Sequence, residues 1–327
     1  MKITILGSGG WGTALGLLLH ENGHAVTLWS AFEEESDNLR TTRQNPYLPG
    51  ITLPEAILCT ADMSCLREAE LAVLATPSFA VRTTASALKE RLPSGIPVVI
   101  VAKGIERDTS KTFFEIARDE LGAGAPIAIL TGPSHAEEVA RGIPTACVAA
   151  SDDITVAKYI QDAFMNERFR VYTSTDVIGV EMGSALKNVI ALAAGISDGL
   201  GCGDNTIAAL MTRGLAEMTA LAVKLGGKRE TLVGLTGMGD LIVTCTSRHS
   251  RNRRAGVLIG QGCSVEAAME QVGSVVEGYY ATAAAKELSE KAGVEMPIAN
   301  ELYSILYEGK NPRLVLQDLM TRQKRAE

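Results

Sequence analysis

The sequence predicts a doubly wound α/β domain over residues 1–174 and an all-helical domain over residues 175–327. Short β-branched runs alternate with helical patterns in the first half, which is typical of a parallel sheet covered on both faces. A glycine-rich loop directly follows the first of these runs. After about residue 174 the strand patterns stop, and long segments rich in Ala, Leu, Met and Glu predict helices.

Length, charge and cysteine content narrow the class of protein. The chain has 327 residues, which suits two domains, and its net charge of −7 disfavours nucleic acid as a partner. The six cysteines form no CxxC pair and no metal-ligand spacing, so we expect reduced thiols and no metal site. No signal-peptide pattern precedes the first strand, and we expect no apolar run long enough to span a bilayer. A cytoplasmic protein without a membrane span is therefore expected.

The individual elements follow from the same patterns. The predicted strands are 2–6, 25–29, 71–75, 97–101, 127–130, 144–150 and 168–172. The predicted helices of the second half include 176–198, 204–225, 264–270, 278–292 and 297–308. A doubly wound sheet binds its ligand at the carboxyl ends of its strands. Three segments stand at such ends and are candidates for the site: ATPS, AKGIE and TGPSHAEE.

The loop after the first strand has the spacing of a dinucleotide-binding turn. Gly7 permits a tight turn, Gly9 lets the backbone approach a pyrophosphate, and Gly12 lets the helix pack closely on the strand. The anion would lie on the free N–H groups at the start of the helix. An ordinary βα turn is the alternative, because glycine turns are common. Since strand and helix patterns both flank the loop, we interpret the first domain as Rossmann-like.

Lys187 is the most informative residue of the second half. It lies in the helical stretch EMGSALKNVIALAAG, with the small residues Gly183 and Ser184 one turn before it. Solvation of its ammonium group at the surface is the alternative, but apolar residues occupy most of this helix. A desolvated lysine can act as an acid or base near neutral pH.

Lys103 and Asp240 are the next candidates. Lys103 follows a strand of the buried type, so its ammonium group is expected at the carboxyl end of that strand, towards the crevice. A solvated position at the sheet edge is the alternative. Asp240 follows Gly237 and Gly239 and precedes an apolar LIV run, where a carboxylate is otherwise out of place.

A polar cluster precedes a helix-like run near residue 250. Ser250, Arg251 and Asn252 stand directly before this run, which also contains Arg253 and Arg254. Arginine and asparagine beside a helix N-terminus can bind a phosphate group. From these residues alone, a simple cap on a surface helix is an equal alternative.

Together these motifs resemble a known family. The segments GSGGWGTALG, NPYLPG, VAKGIE, TGPSHAEEVA, GSALKNVIALAAGISDGLG, TGMGDLIVTCTSRHSRN and VVEG occur in the order found in NAD(P)-dependent glycerol-3-phosphate dehydrogenases of the bacterial type. The resemblance extends from residue 3 to about residue 310. It implies an oxidoreductase that uses NAD(P)H to reduce dihydroxyacetone phosphate to sn-glycerol 3-phosphate, the precursor of membrane phospholipids.

The resemblance also implies roles for particular residues. Lys187 matches the catalytic lysine that exchanges a proton with the carbonyl oxygen, and Asp240 helps to align it. The implied substrate contacts are Lys103, Gly132, Ser134, Lys187, Asn188, Asp240, Thr244, Ser250, Arg251 and Asn252. The implied cofactor contacts are Gly7, Gly9, Gly10, Trp11, Gly12, Lys103, Ala136, Arg251, Val275 and Glu277. The substrate phosphate would fall to the cluster at residues 250–252.

The end of the second strand departs from the family pattern. Ser30, Ala31 and Phe32 follow VTLW, whereas the family often has an arginine near residue 31, which favours the 2′-phosphate of NADP. The glutamates at 33–35 would repel that phosphate modestly. We therefore expect both NAD(H) and NADP(H) to work, with NADH at least as good as NADPH.

Two alternative functions stay open at this stage. A related two-domain 3-hydroxyacid dehydrogenase or ketopantoate reductase would share the glycine loop and the lysine of the helical domain, but would not need the TSRHSRN cluster. A non-catalytic dinucleotide sensor would retain the loop but gives no reason for Lys187 and Asp240. The sequence is compatible with a homodimer and does not fix the oligomeric state.

Overall fold

The computed structural model describes residues 1–324, so residues 325–327, the end of the predicted helical domain, lie outside the described part. The chain forms two compact units. The first comprises Met1–Lys103 and Lys111–Glu181, and the second comprises Gly104–Ser110 and the described residues from Met182 onward. The main division therefore falls inside a helix, whereas the domain boundary proposed from the sequence is at 174/175, where the strand patterns end.

The first unit is built around one sheet. Its strands are β1 (Lys2–Leu6), β2 (Ala25–Trp29), β3 (Leu58–Thr60), β4 (Leu71–Leu74), β5 (Val98–Ile100), β6 (Ile127–Thr131), β7 (Thr145–Ala150) and β8 (Phe169–Ser174). Its helices are α1 (Gly10–Glu21), α2 (Glu33–Thr42), α3 (Val81–Arg91), α4 (Phe113–Leu121), α5 (Ala136–Val139) and α6 (Ile154–Phe164), with 3₁₀ turns at Met63–Glu68 and Ser78–Ala80. The strand order is β3-β2-β1-β4-β5-β6-β7-β8. The predicted α/β class is confirmed.

Two features of the sheet differ from the prediction of a parallel sheet. β7 pairs antiparallel with β6, and β8 then pairs parallel with β7, so the last two strands run against the first six. Apolar strand residues indicate burial on both faces, but they carry no information about strand direction. β3 was not predicted because it pairs at the sheet edge with β2 and buries only Cys59, whereas all three residues of the equally short β5 are buried.

The position of β1 determines where a ligand can bind. β1 pairs with β2 on one side and with β4 on the other. From β1 the chain continues to β2 and β3 on one side of β1, and it then crosses to β4 on the other side. The carboxyl end of β1 is therefore the point at which the strand order reverses, where doubly wound sheets bind their ligands. The apolar residues Ile3, Ile5 and Leu6 are at most 1% exposed, because helices cover both faces. The glycine loop extends from this end.

The second unit is helical in its described residues. Its helices are α7 (Val177–Gly199, whose first turn belongs to the first unit), α8 (Asp204–Lys224), α9 (Arg229–Leu232), α10 (Asp240–Thr246), α11 (Arg251–Gly260), α12 (Val265–Val272), α13 (Glu277–Ala292), α14 (Pro297–Glu308) and α15 (Pro312–Thr321). A π-helical turn, Leu235–Gly239, precedes α10. The five predicted helices are confirmed to within two residues at each end. The helices α9 and α10 were not predicted, since neither contains enough turns to show a clear period. α15 was not predicted either, because it buries only Val315 and its apolar face is correspondingly weak.

α7 and α11 cross with their backbones in contact. The crossing uses two glycines on each helix: Gly195, Gly199, Gly256 and Gly260. A Cβ at Gly256 would lie 2.2 Å from the carbonyl oxygen of Leu192, so no side chain fits there. Glycine permits this close approach of two backbones. The crossing fixes the start of α11 against α7, where Asn252 meets Asn188.

Two helices are long and apolar enough to cross a membrane by length and composition, which corrects the expectation that no apolar run reaches that length. In α7, 89% of the most apolar 18-residue stretch is buried inside the protein, and in α8 the corresponding share is 33%. The core helix of a protein that spans no membrane can be equally long and apolar. The burial of α7 matches that explanation, because it packs within the largest apolar cluster of the second unit.

Glu217 makes stability depend on pH. Its carboxylate accepts hydrogen bonds from the backbone N–H of Ile298 at 2.9 Å and of Ala299 at 3.3 Å, at the start of α14. Burial raises the pKa of Glu217 to about 7, although these N–H groups lower it. The folded state therefore holds this proton more tightly than the unfolded chain, whose pKa lies near 4.5. Its contribution to stability is full at low pH and is lost as pH rises from about 4.5 to about 7.

We expect Glu217→Gln to remove this dependence. In the parent, the loss between pH 4.5 and pH 7 attributable to Glu217 is about 3 kcal/mol of unfolding free energy. Urea denaturation of both proteins at pH 5 and pH 8 measures the difference. Equal changes between the two pH values in parent and variant would contradict this role of Glu217.

Candidate active site

The glycine loop leaves open space above the start of α1. Gly7 has φ +120°, and a Cβ there would lie 2.5 Å from the carbonyl oxygen of Ala75. A Cβ at Gly12 would lie 2.0 Å from the carbonyl oxygen of Gly7. Gly9, in contrast, has no neighbour within 4 Å of its Cβ position. Two glycines are thus needed for packing, while the middle one borders free space at the helix N-terminus, as a bound pyrophosphate requires.

Asn45 supports this loop and was not predicted as a site residue. Its side-chain amide donates to the carbonyl oxygen of Ser8 at 2.7 Å and to the hydroxyl of Thr13 at 2.6 Å. Asn45 is buried, so these bonds hold the loop without competition from water. The only sequence signal was its place in the NPYLPG motif. Its role is to position the loop, since its amide bonds go to the protein itself.

The polar atoms around the loop fit a dinucleotide. Trp11 in the first turn of α1 has a buried indole N–H with no hydrogen-bond partner within residues 1–324. The hydroxyl of Thr76, which lies beside Gly7, is also buried and without a partner in that range. Buried donors without partners are costly in a finished structure, and a polar ligand would satisfy them. Gly10 begins α1 beside the backbone of Tyr47, and its N–H lies at the helix start.

Lys103 and Gly132 meet at the ends of two neighbouring strands. Lys103 follows β5 and donates from Nζ to the carbonyl oxygen of Gly132 at 2.8 Å, just after β6. The hydroxyl of Ser134 donates to the same carbonyl oxygen at 3.0 Å. Gly132 has φ +156°, and a Cβ there would lie 2.9 Å from the carbonyl oxygen of Ala146. These three predicted site residues therefore form one cluster, and Ala136 follows at the start of α5.

Lys187 lies in a buried polar cluster of the second unit. Its Nζ is 2.5 Å from Oδ1 of Asp240 and donates to the hydroxyl of Thr244 at 2.7 Å. The side chains of Lys187 and Asp240 are 6% and 1% exposed. Thr244 in turn donates to the backbone carbonyl of Asp240 at 2.6 Å. The alternative of a solvated lysine is wrong, because this ammonium group is held in a fixed direction by an acid and a hydroxyl.

Glycines bring these side chains together. A Cβ at Gly183 of α7 would lie 2.9 Å from the carbonyl oxygen of Thr236, in the π-helical turn before α10. A Cβ at Gly237 would lie 1.9 Å from the carbonyl oxygen of Leu232. The turn can therefore pack tightly on both sides only with glycine. Asp240 begins α10 directly after the turn, and Thr244 lies one helical turn further on.

Asn188 and Asn252 connect three helices. The amide nitrogen of Asn252 donates to Oδ1 of Asn188 at 2.9 Å, and the backbone N–H of Gly278 donates to Oδ1 of Asn252 at 2.8 Å. Both asparagines are buried. Asn188 follows Lys187 on α7, while Asn252 and Gly278 lie in the first turns of α11 and α13. Two helix N-termini therefore converge beside the residue next to Lys187.

The remaining predicted contacts surround these helix starts. The hydroxyl of Ser250 accepts from the backbone N–H of Arg253 at 3.2 Å and caps α11. Arg251 is the first residue of α11 and is exposed. Glu277 begins α13, and Val275 precedes it. Ser250 therefore caps α11, and the adjacent Arg251 side chain is exposed.

Cys245 is not a second proton donor or nucleophile in this cluster. It follows Thr244 on α10 and is buried. Burial raises the pKa of Cys245 to about 12, although the Lys187 ammonium lowers it. The thiol therefore stays protonated and unreactive near neutral pH. Within residues 1–324, no group of three or more His, Cys, Asp or Glu side chains could hold a metal ion.

Comparison with known families decides among the candidate functions. The family model described as NAD-dependent glycerol-3-phosphate dehydrogenase N-terminus matches residues 2–157, and the C-terminus model of the same family matches residues 176–317. The chain belongs to the NAD-dependent glycerol-3-phosphate dehydrogenase family. Membership makes it an oxidoreductase that uses NAD(P), and the non-catalytic sensor is no longer supported.

Individual glycerol-3-phosphate dehydrogenases match over nearly their full length. Proteins named glycerol-3-phosphate dehydrogenase [NAD(P)+] from Moorella thermoacetica and Fusobacterium nucleatum are 53% and 50% identical, covering 100% of this chain and 97% and 98% of theirs. The crystal structure of the Coxiella burnetii glycerol-3-phosphate dehydrogenase is 39% identical with a TM-score of 0.94, covering 98% of this chain and 99% of that one. A ketopantoate reductase from Ralstonia eutropha, at 18% identity and a TM-score of 0.61, covers 98% of this chain and 100% of its own and shares the fold alone.

Proposed function

We propose that this chain interconverts dihydroxyacetone phosphate and sn-glycerol 3-phosphate, with Lys187 as the proton donor and acceptor. The observation that carries the proposal is the buried Lys187 ammonium held by Asp240 and Thr244. When bound at the glycine loop, the nicotinamide nucleotide supplies or accepts the hydride. We further propose that the product supplies phospholipid synthesis in the cytoplasm, and that the chain acts as a homodimer.

Lys187 would act where negative charge develops. Reduction of a ketone builds charge on the carbonyl oxygen, and a cationic N–H in a site shielded from water stabilises that charge and supplies the proton. Asp240 and Thr244 would keep the ammonium group in one direction, so that little reorganisation is needed during the reaction. Asn188, fixed by Asn252, would hold a substrate hydroxyl beside it. Lys103, Gly132 and Ser134 are proposed as further substrate contacts of the first unit.

The substrate phosphate would bind at the start of α11. The free N–H groups and the dipole of a helix N-terminus favour an anion, and Arg251 adds a planar guanidinium group there. Ser250 caps the helix, while Asn252 is bonded to Asn188 and Gly278. Of this predicted phosphate cluster, Arg251 therefore supplies the charge, and Ser250 and Asn252 shape the site. Arg251, Val275 and Glu277 are also proposed to contact the cofactor.

We expect Arg251→Lys to raise the KM for dihydroxyacetone phosphate by about tenfold, because lysine keeps the charge but loses the two-pronged geometry. Steady-state kinetics with dihydroxyacetone phosphate and with unphosphorylated dihydroxyacetone make the test. The exposed Arg254, one turn along α11, provides the control variant Arg254→Lys. If both ketones lose activity by the same factor, Arg251 does not bind the phosphate.

The nucleotide preference can be shifted at residue 31. Ala31 is exposed in the turn between β2 and α2. An arginine there would supply the missing partner for the 2′-phosphate, so Ala31→Arg is expected to move the kcat/KM ratio towards NADPH by about tenfold. Ala31→Gln is the uncharged control. An unchanged ratio in Ala31→Arg would place the 2′-phosphate away from this turn.

A single assay tests the function itself. Purified protein is mixed with dihydroxyacetone phosphate and either NADH or NADPH, and nucleotide consumption is followed by absorbance. We expect consumption with both nucleotides. A preference for a 3-hydroxyacid or ketopantoate over dihydroxyacetone phosphate would overturn the proposal in favour of a related dehydrogenase.

A further inference from the structure

Glu35 turns its carboxylate towards the glycine loop. Its Oε2 accepts a hydrogen bond from the hydroxyl of Ser30 at 2.7 Å and another from the hydroxyl of Ser8 at 3.3 Å. Ser8 and Ser30 are 6% and 3% exposed, so both donors are fixed by the surrounding protein. Ser30 is held further by the backbone N–H of Phe32, which donates to its hydroxyl at 3.2 Å.

These contacts place one carboxylate at the ends of two adjacent strands. Ser8 lies in the loop that follows β1, and Ser30 directly follows β2, which pairs with β1. In doubly wound dinucleotide-binding sheets, the adenosine ribose lies beside the end of the second strand. Within residues 1–324, Oε1 of Glu35 accepts no hydrogen bond, while Oε2 takes both serine hydroxyls. Oε1 is therefore the oxygen that can accept from a ligand.

The two arginines that follow Glu35 in the chain, Arg40 and Arg43, already form ion pairs. Arg40 on α2 forms ion pairs with Glu33 and Asp37. Arg43, at the end of α2, forms an ion pair with Glu55 and donates to the carbonyl oxygen of Ile57. Neither guanidinium group can pair with the 2′-phosphate of NADP(H) without breaking these interactions. The surroundings of Glu35 thus favour a hydroxyl donor over an anion.

We propose that Glu35 determines nucleotide choice by reading the 2′ position of the adenosine ribose. Its carboxylate accepts a hydrogen bond from the 2′-hydroxyl of NAD(H) and repels the 2′-phosphate of NADP(H). The inference rests on the proposed dehydrogenase function for the presence of a nucleotide. It assigns the discrimination between NAD(H) and NADP(H) to one of three neighbouring glutamates. Glu34 is exposed and belongs to no ion pair within the described residues, and Glu33 is paired with Arg40.

Binding measurements on the purified chain test the assignment without catalysis. Isothermal titration calorimetry with NAD⁺ and NADP⁺ gives two dissociation constants for the parent, for Glu35→Gln and for the matched control Glu34→Gln. Both variants remove one negative charge from the same turn of α2. We expect the ratio Kd(NADP⁺)/Kd(NAD⁺) to fall about tenfold in Glu35→Gln and by less than about twofold in Glu34→Gln.

A second variant separates orientation from charge. Ser30→Ala removes the 2.7 Å hydrogen bond that aims Glu35 but leaves the charge in place, so we expect a smaller fall in the same ratio. Thermal melting of each variant confirms that it is folded. An unchanged ratio in Glu35→Gln overturns the inference while leaving the dehydrogenase function intact. A parent protein that binds neither nucleotide overturns both.

Discussion

Replacing Lys187 by methionine is expected to lower kcat by about 10² to 10⁴-fold, because the reaction loses its positioned proton donor. Charge stabilisation at the carbonyl oxygen is lost with it, which places the expected effect towards the upper end. Binding of NADH should change little, since the glycine loop belongs to the first unit and Lys187 to the second. Steady-state kinetics and fluorescence titration with NADH measure the two effects separately.

Two further variants make this result specific. Removing one partner of a buried ion pair leaves an unpaired charge and costs about 3–5 kcal/mol of stability. The double variant Lys187→Met/Asp240→Asn removes both charges, so it lacks the proton donor without leaving a buried charge unpaired. It therefore serves as the folded reference for the loss of kcat. Lys224→Met, on the exposed end of α8, is the matched control and should keep the parent kcat. A kcat for Lys187→Met within about tenfold of the parent would remove Lys187 from the chemistry.

The second large effect is on stability, from Gly256→Ala at the crossing of α7 and α11. Alanine in an exposed helix is more favourable than glycine by about 1 kcal/mol, so helix propensity alone predicts stabilisation. Here the new Cβ would lie 2.2 Å from the carbonyl oxygen of Leu192 and 2.8 Å from the backbone nitrogen of Ile196. Neither backbone atom can move aside cheaply. We expect a net loss of about 1–3 kcal/mol in unfolding free energy, measured by urea denaturation.

Gly256→Ala should also alter the candidate active site. Asn252 lies one turn before Gly256 on α11, so separating the helices would lengthen its 2.9 Å bond to Asn188. We expect KM for dihydroxyacetone phosphate to rise with the loss of stability. Gly124→Ala, in the turn before β6, is the control for an unhindered substitution, because no atom beyond its chain neighbours lies within 4 Å of its Cβ position. Stabilisation by Gly256→Ala would show that the crossing can open without cost.

The parts of the fold that the sequence predicted are those with a repeated pattern. Strands such as 2–6 and helices such as 297–308 contain enough apolar residues to reveal their period, and both were predicted at the observed ends. The reversal of β7 against β6 left no such trace, since direction does not alter composition. β3 buries only one of its three residues, so it lacks the continuous apolar run from which the equally short β5 was predicted.

The residues of the candidate site also divide into those that have a local sequence signal and those that do not. Lys187 and Asp240 stood out because each is a charge among apolar or glycine-rich neighbours, and the structure brings them into contact. The support of the glycine loop by Asn45 depends on contacts between residues 37 positions apart, which no local pattern records. The choice of Glu35 among three adjacent glutamates likewise depends on where Ser8 and Ser30 lie after folding.

The buried pair of Lys187 and Asp240 sets a limit on engineering this protein for heat resistance. Replacing a buried ion pair by apolar residues of similar volume is often neutral or stabilising, by about 1–4 kcal/mol. A screen that selects only for stability at high temperature would therefore tend to replace Lys187, the proposed proton donor, and Asp240, which orients it. Directed evolution of this chain has to select for turnover in every round, because its most heat-resistant descendants need not be enzymes.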